Sequence, residues 1–245
     1  MKKQKKTWWL SSKKCLRANA VLLIFLISIK SSLGSTPSVS NPSPKQLQSE
    51  IHKNPSSGMA GFEKLIQSWE KRFGSQAALP LLTLARDSNT DENERYIALM
   101  GAAKLGGQPL LPEINSFLSD RSWMLRSAAL RILAALGSPE SGLAALPLLR
   151  DKALVVRAEA VETVRTLRPS GAALALLEAL ENPENYHHGK ALWVPQKALQ
   201  ALTVLNASEV IPEIGRFLKS KRTQSDPELR SLTQKTLLAL ESRQN

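Results

Sequence analysis

The stretch "RSAALRILAALG" occupies Arg126–Gly137, and 31 residues later the chain reads "RAEAVETVRTLR" over Arg157–Arg168. Arg95, Arg126 and Arg157 stand at spacings of 31 and 31. Three residues after each comes Ala98, Ala129 or Ala160, and ten after each comes Leu105, Leu136 or Leu167. Small and apolar residues at i, i+3/i+4, i+7 and i+10 define one face of an α-helix. Two weaker copies follow. In "VPQKALQALTVL" Pro195 takes the arginine column, with Ala198, Leu202 and Leu205 in register. In "LRSLTQKTLLAL" the matching residues are Arg230, Leu237 and Leu240. Their spacings of 38 and 35 imply longer loops.

The segments between these copies also repeat. "LPEINSFLS" (111–119) matches "IPEIGRFLK" (211–219), and "AALPLLTLARD" (77–87) resembles "AALPLLRD" (144–151). Proline stands early in each, where a helix tolerates its missing N–H. Each unit is a helix, a turn and a second helix. A two-helix unit of this size cannot bury its own apolar face, but stacked neighbours can. The expectation is an all-α fold: an α–α superhelix of about five helix pairs over 77–245. Its pairs are 77–86 with 92–105, 109–119 with 122–136, 142–150 with 153–167, 171–181 with 192–205, and 208–219 with 227–241. A capping helix is expected within 59–76. Aromatics make up only 5% of the chain, which suits Leu/Ala helix seams better than a β-sandwich.

Asp120, Arg126, Ala129, Leu133, Leu136 and Gly137 spell Asp-x5-Arg-x2-Ala-x3-Leu-x2-Leu-Gly, and Asp151, Arg157, Ala160, Val164 and Leu167 repeat most of it. This pattern resembles a HEAT repeat of the bilin-lyase-like subtype over roughly 77–241. The resemblance implies that the aspartate lies in the turn between helices A and B. It implies too that the arginine lies on helix B, and that the two build a polar ladder between repeats. On that basis the ladder is Arg95, Asp120, Arg126, Asp151 and Arg157. The chain departs from the pattern at Pro195, and the aspartate column holds Asn89 in the first copy and Gly189 in the fourth.

Charge and cysteine point to an address at the start of the chain. The net charge is +12, but residues 1–34 hold eight cations and no acid. The remainder has 25 basic and 21 acidic residues, an ordinary soluble surface. The only cysteine is Cys15, so no disulfide or cysteine nucleophile is available beyond it. A basic start, the apolar run "VLLIFLISI" (21–29) and small residues Ser32 and Gly34 are the parts of a secretory signal peptide. The alternative is an uncleaved membrane anchor. The ten residues from Ala20 to Ile29 cover roughly 15 Å of a ~30 Å hydrocarbon core. Residues 1–34 are therefore read as signal or anchor, and the Pro/Ser-rich 35–58 as a flexible linker. The repeat domain is expected outside the cytoplasm: periplasmic or extracellular after cleavage, or anchored by the N-terminal segment.

Chemistry-bearing motifs are few. His187 and His188 are adjacent on a loop with no other histidine or cysteine nearby in the sequence, so no metal site is assigned. There is no Gly-x-Ser-x-Gly elbow, and Gly106-Gly107 has the character of a helix C-terminus. Trp123 and Trp193, near the start of two B helices, are read as packing residues. One B-helix column runs Met100, Arg131, Glu162, Gln200, Lys235; its mixed signs argue against a phosphate-binding stripe. The function expected is non-catalytic binding of a protein partner, with no cofactor and no nucleic acid. It would use the concave face of the B helices through Tyr96, Arg131, Glu162, Arg165 and Gln200. The alternatives are a HEAT-like lyase or isomerase acting on a cofactor, and a cytosolic nucleic-acid binder.

Overall fold

A computed structural model describes residues 41–54 and 58–243. The expected signal or anchor segment, 1–34, lies outside the described residues. The chain forms two compact units, one ending at Ile114 and the other beginning at Asn115.

In the first unit, helices α1 (Pro44–His52), α2 (Gly58–Phe73), α3 (Ala78–Arg86) and α4 (Glu92–Gly106) follow one another, and α5 (Leu111–Asn115) closes it. Helices α3 and α4 form an antiparallel pair whose buried face includes Leu81, Leu82, Ala85, Leu99 and Met100. Asp91 caps α4 by accepting the Asn93 N–H at 2.8 Å. Glu92 and Glu94 then fill the first turn and Lys104 the last, signs that complement the helix dipole. The helix stops at Gly107, whose φ of 65° and ψ of −153° belong to a region essentially confined to glycine. Gly101 lets α2 approach closely, because a Cβ there would stand 3.0 Å from the Trp69 ring.

Within the stretch expected to be a flexible linker, 35–58, residues 44–52 form helix α1. Ser43 caps it, and Leu47 and Ile51, four residues apart, are both buried. They pack on α3 and α4. Two side chains at one turn's separation, each worth roughly 1.5–3 kcal/mol on burial, anchor a helix that average composition hides. Glu50, on the same helix, accepts from Trp69 Nε1 at 2.9 Å and from both terminal nitrogens of Arg72 at 2.9 and 2.8 Å.

The second unit repeats one theme. Four B helices lie side by side: α6 (Trp123–Leu136), α8 (Leu154–Leu167), α10 (Trp193–Leu205) and α13 (Pro227–Glu241). Each packs on its own A segment: the 3-10 turn 116–119, the 3-10 helix 143–150, α9 (Ala172–Glu181) and α11 (Ile211–Leu218), respectively. Helix α6 is apolar nearly all round, and Leu125, Leu130, Ile132 and Leu133 are fully buried. Thr163 of α8 is buried too, its hydroxyl shared between the carbonyls of Glu159 (2.9 Å) and Leu130 of α6 (3.0 Å).

The structure differs from the sequence reading in three local ways. The A segments of the second and third pairs are not continuous α-helices. One is broken into 3-10, α and 3-10 pieces over 108–119. The other is a short helix α7 (Pro139–Gly142) followed by a 3-10 helix carrying Pro147 in its interior. Proline there has no N–H to give and crowds the carbonyl one turn back, so the segment tightens. The insertion after α9 contains a two-stranded hairpin, β1 (Tyr186–His187) and β2 (Lys190–Ala191). Its turn residues His188 and Gly189 have φ of 48° and 75°, the hand that a two-residue hairpin turn requires. Finally, a short helix α12 (Lys221–Ser225) precedes α13.

Candidate functional site

The arginine columns are the first polar feature of the repeats. Arg126 is 5% exposed and meets Asp151 of the next repeat in a bidentate pair, Nε to Oδ2 and Nη2 to Oδ1, each at 2.7 Å. Its Nη1 donates to the carbonyls of Asp120 (2.8 Å) and Arg121 (3.0 Å) in its own turn. Asp151 also accepts the Ala153 N–H at 2.8 Å, so one carboxylate shapes the A–B turn and holds the neighbouring helix. Asp120 shapes its own turn in the same way, accepting the Ser122 N–H at 2.8 Å. Arg95, in the first unit, donates Nε to the Ala85 carbonyl at 2.8 Å.

Arg157 repeats the theme with a different partner. Its Nε donates to Asn185 Oδ1 at 2.7 Å, Nη1 to the carbonyls of Asp151 and Lys152, and Nη2 to the carbonyl of Glu184. Asn185 is fully buried, and its amide donates to the Ala179 carbonyl at 2.8 Å. In the fourth pair the two tasks of the aspartate are divided: Asn182 accepts the Glu184 N–H at 3.0 Å and Asn185 receives Arg157, which corrects the placement of Gly189 there. The physical reason is the hairpin: the Leu192 N–H bonds to the Asn185 carbonyl at 2.8 Å, so residues 186–191 loop out between them. The change from Asp to Asn leaves the Arg157 guanidinium without an in-line carboxylate. Burial pushes its pKa down, partly offset by Glu184 and Asp151.

A second network lies on the solvent side of the B helices. Arg131 of α6 and Glu159 of α8 face each other at 3.1 Å, and both side chains are largely covered. Three residues along α8, Glu162 holds two cations at once: Arg165 Nε at 2.9 Å and the ammonium of Lys197 on α10. Burial pushes the Glu159 carboxyl up, with Arg131 opposing. Burial pushes Glu162 up as well, but Lys197 and Arg165 outweigh it and its pKa falls. Gln200 stands exposed on α10. Of the five residues expected to bind a partner, Arg131, Glu162, Arg165 and Gln200 thus share one face of the second unit. Tyr96 lies half-buried on α4 in the first unit.

Sequence reasoning missed Glu159, Lys197 and Asn185. In the repeat alignment Ile97, Ala128, Glu159 and Lys197 form one column, two residues after the arginine column. The ion pairs run diagonally from that column to the Met100–Arg131–Glu162–Gln200 column of the preceding helix. Asn185 was masked by the insertion. Trp123, read as a packing residue, is 45% exposed, whereas Trp193 is half-buried. Exposed apolar side chains in the second unit also include Val204 and Leu238 on the B helices, and Leu143 and Leu174 on the A side. Among the described residues no group of three or more His, Cys, Asp or Glu is placed to hold a metal ion.

No curated protein matches the chain. A solved structure described as an engineered protein aligns over 92% of this chain and 97% of its own, at 16% identity and a TM-score of 0.41, too distant to support an argument. The family model for HEAT repeats matches residues 78–165, the stretch holding the 31-residue columns and the Arg126–Asp151 pair.

Proposed function

We propose that the chain is a non-catalytic, exported HEAT-repeat scaffold that binds a protein partner on the face made by its B helices. The observation that carries this reading is the network Arg131–Glu159 and Arg165–Glu162–Lys197, which spans three successive B helices, covered at Arg131–Glu159 and partly exposed at Arg165–Glu162–Lys197. The partly exposed pairs add little to folding stability. They do fix a charge pattern and hold long side chains ready for a partner, which lowers the entropy lost on binding. The ladder of Arg126, Asp151 and Arg157 serves a separate, structural role at the A–B turns. Its Asp–Arg arrangement supports assigning the repeats to the bilin-lyase-like subtype. Export rests on residues 1–34, and the mass of the mature N-terminus tests it: a start near Ser35 agrees, and an intact Met1 with a cytosolic location refutes it.

The binding reading is tested by quantitative affinity capture from the native cell, using wild type and two surface variants. Val204→Asp alters the B face at a residue 42% exposed; Leu174→Asp alters the A face at a residue 61% exposed. Partners lost with Val204→Asp and kept with Leu174→Asp agree with the proposal. Equal recovery by all three forms refutes it.

A further inference from the structure

The chemistry of this face narrows what it binds. Its two carboxylates are committed internally: Glu159 lies 7% exposed against Arg131, and Glu162 bridges Arg165 and Lys197. Three cations therefore surround two carboxylates, and the acids lie deeper than the outermost cation, Arg165, whose side chain is 40% exposed. Lys235 adds an exposed cation on the next B helix but one from α8. Exposed Gln200 follows Lys197 by three residues on α10, so it stands on the same face as the Glu162–Lys197 contact. The Thr203–Thr236 contact, 3.4 Å between hydroxyl oxygens, sets α13 against α10. Val204 follows Gln200 by four residues, one turn along the same face of α10, and is 42% exposed. A surplus of positive charge thus borders a small apolar step on α10.

We infer that the occupant of this face is an acidic protein segment that also carries an apolar side chain. One or two of its carboxylates would sit over Arg165, Lys197 and Lys235, and its apolar group would cover Val204. This rests on the proposed B-face function and adds the class of partner to it. Nucleic acid is disfavoured by the same geometry, because Glu159 and Glu162 lie under the centre of the patch. A phosphate backbone needs a run of cations free of acids to release its counterions. An anionic lipid surface needs a cluster of surplus cations, and the Arg131–Lys197 network has a surplus of only one.

The test uses the full-length protein in its native cell, with a photo-cross-linking amino acid at Gln200 and, separately, at Leu174. Cross-linked peptides are sequenced by mass spectrometry. The inference expects cross-links at Gln200 to peptides with Asp or Glu near an apolar residue. It expects their yield to fall about tenfold with Arg165→Glu, in line with loss of an interfacial charge pair. The circular dichroism of that variant must match wild type; a variant that fails this is replaced by Lys235→Glu, which lies on an exposed position. Neutral or basic peptides at Gln200, insensitive to these variants, overturn the acidic partner while leaving the B-face reading intact. Cross-links confined to Leu174, or none at either position, overturn both. Nucleic acid or lipid captured at Gln200 overturns the inference as well.

Discussion

Replacing Asp151 with alanine isolates the ladder. The change removes two charge-assisted hydrogen bonds, both 2.7 Å, from an arginine that is only 5% exposed. It also removes the acceptor for the Ala153 N–H. Breaking one side of a buried pair strands the other charge, at a typical cost of 3–5 kcal/mol. Arg126 keeps two backbone carbonyls, those of Asp120 and Arg121, so the lower end applies, about 3 kcal/mol. For a chain of this size each kcal/mol moves Tm by roughly 2–4 °C, so Asp151→Ala should melt roughly 6–12 °C below wild type. Far-UV circular dichroism on heating reads this directly. The double variant Arg126→Met/Asp151→Leu removes both charges, and should recover most of the loss because no stranded ion remains. A Tm drop below about 2 °C for Asp151→Ala, or no recovery in the double variant, refutes the account of the ladder as a coupled buried pair.

Three further outcomes follow from particular contacts. Gly142→Ala places a Cβ 2.9 Å from Leu167 Cβ and 3.3 Å from Pro169, so it should cost about 1–3 kcal/mol in urea denaturation; a neutral result contradicts the packing. Glu50→Gln tests α1. The hydrogen bond from Arg72 leads the effects that hold the Glu50 carboxyl below 4.5, so its contribution exists above that pH and is lost as pH falls through the folded value. The variant should lie roughly 1 kcal/mol below wild type at pH 7, with the gap closing in acid, and a gap that widens in acid is the contrary result. Glu159 has the opposite sign. Burial raises its folded pKa above 4.5, so wild type should lose stability relative to Glu159→Gln as pH rises through that value. A carboxyl titration of Glu159 by NMR with a midpoint below 4.5 contradicts this.

The helix pairs were legible because their signals were redundant. Arg126, Ala129, Leu133 and Leu136 mark the same face that Arg157, Ala160, Val164 and Leu167 mark one repeat later, so period and periodicity agreed. Leu47 and Ile51 were not legible, since two apolar residues in a Pro/Ser-rich stretch carry no period to check against. Pro147 was read as standing early in a helix, where proline is tolerated, so its interior position and the 3-10 tightening it causes were missed. Asn185 was hidden because the insertion broke the fixed spacing on which the aspartate column depends. The network on the B face was half-legible. Arg131, Glu162 and Arg165 stood out as charged positions in an Ala/Leu helix, but Glu159 and Lys197 gain meaning only once neighbouring helices are registered against each other.

The most direct test of the central claim is hydroxyl-radical footprinting of the full-length protein, free and bound to a partner recovered by affinity capture. We expect protection of Arg165 and Val204, with Leu143 and Leu174 labelled equally in both states. Protection of Leu143 and Leu174 instead, with the B-helix side chains unchanged, would contradict the assignment of the binding face.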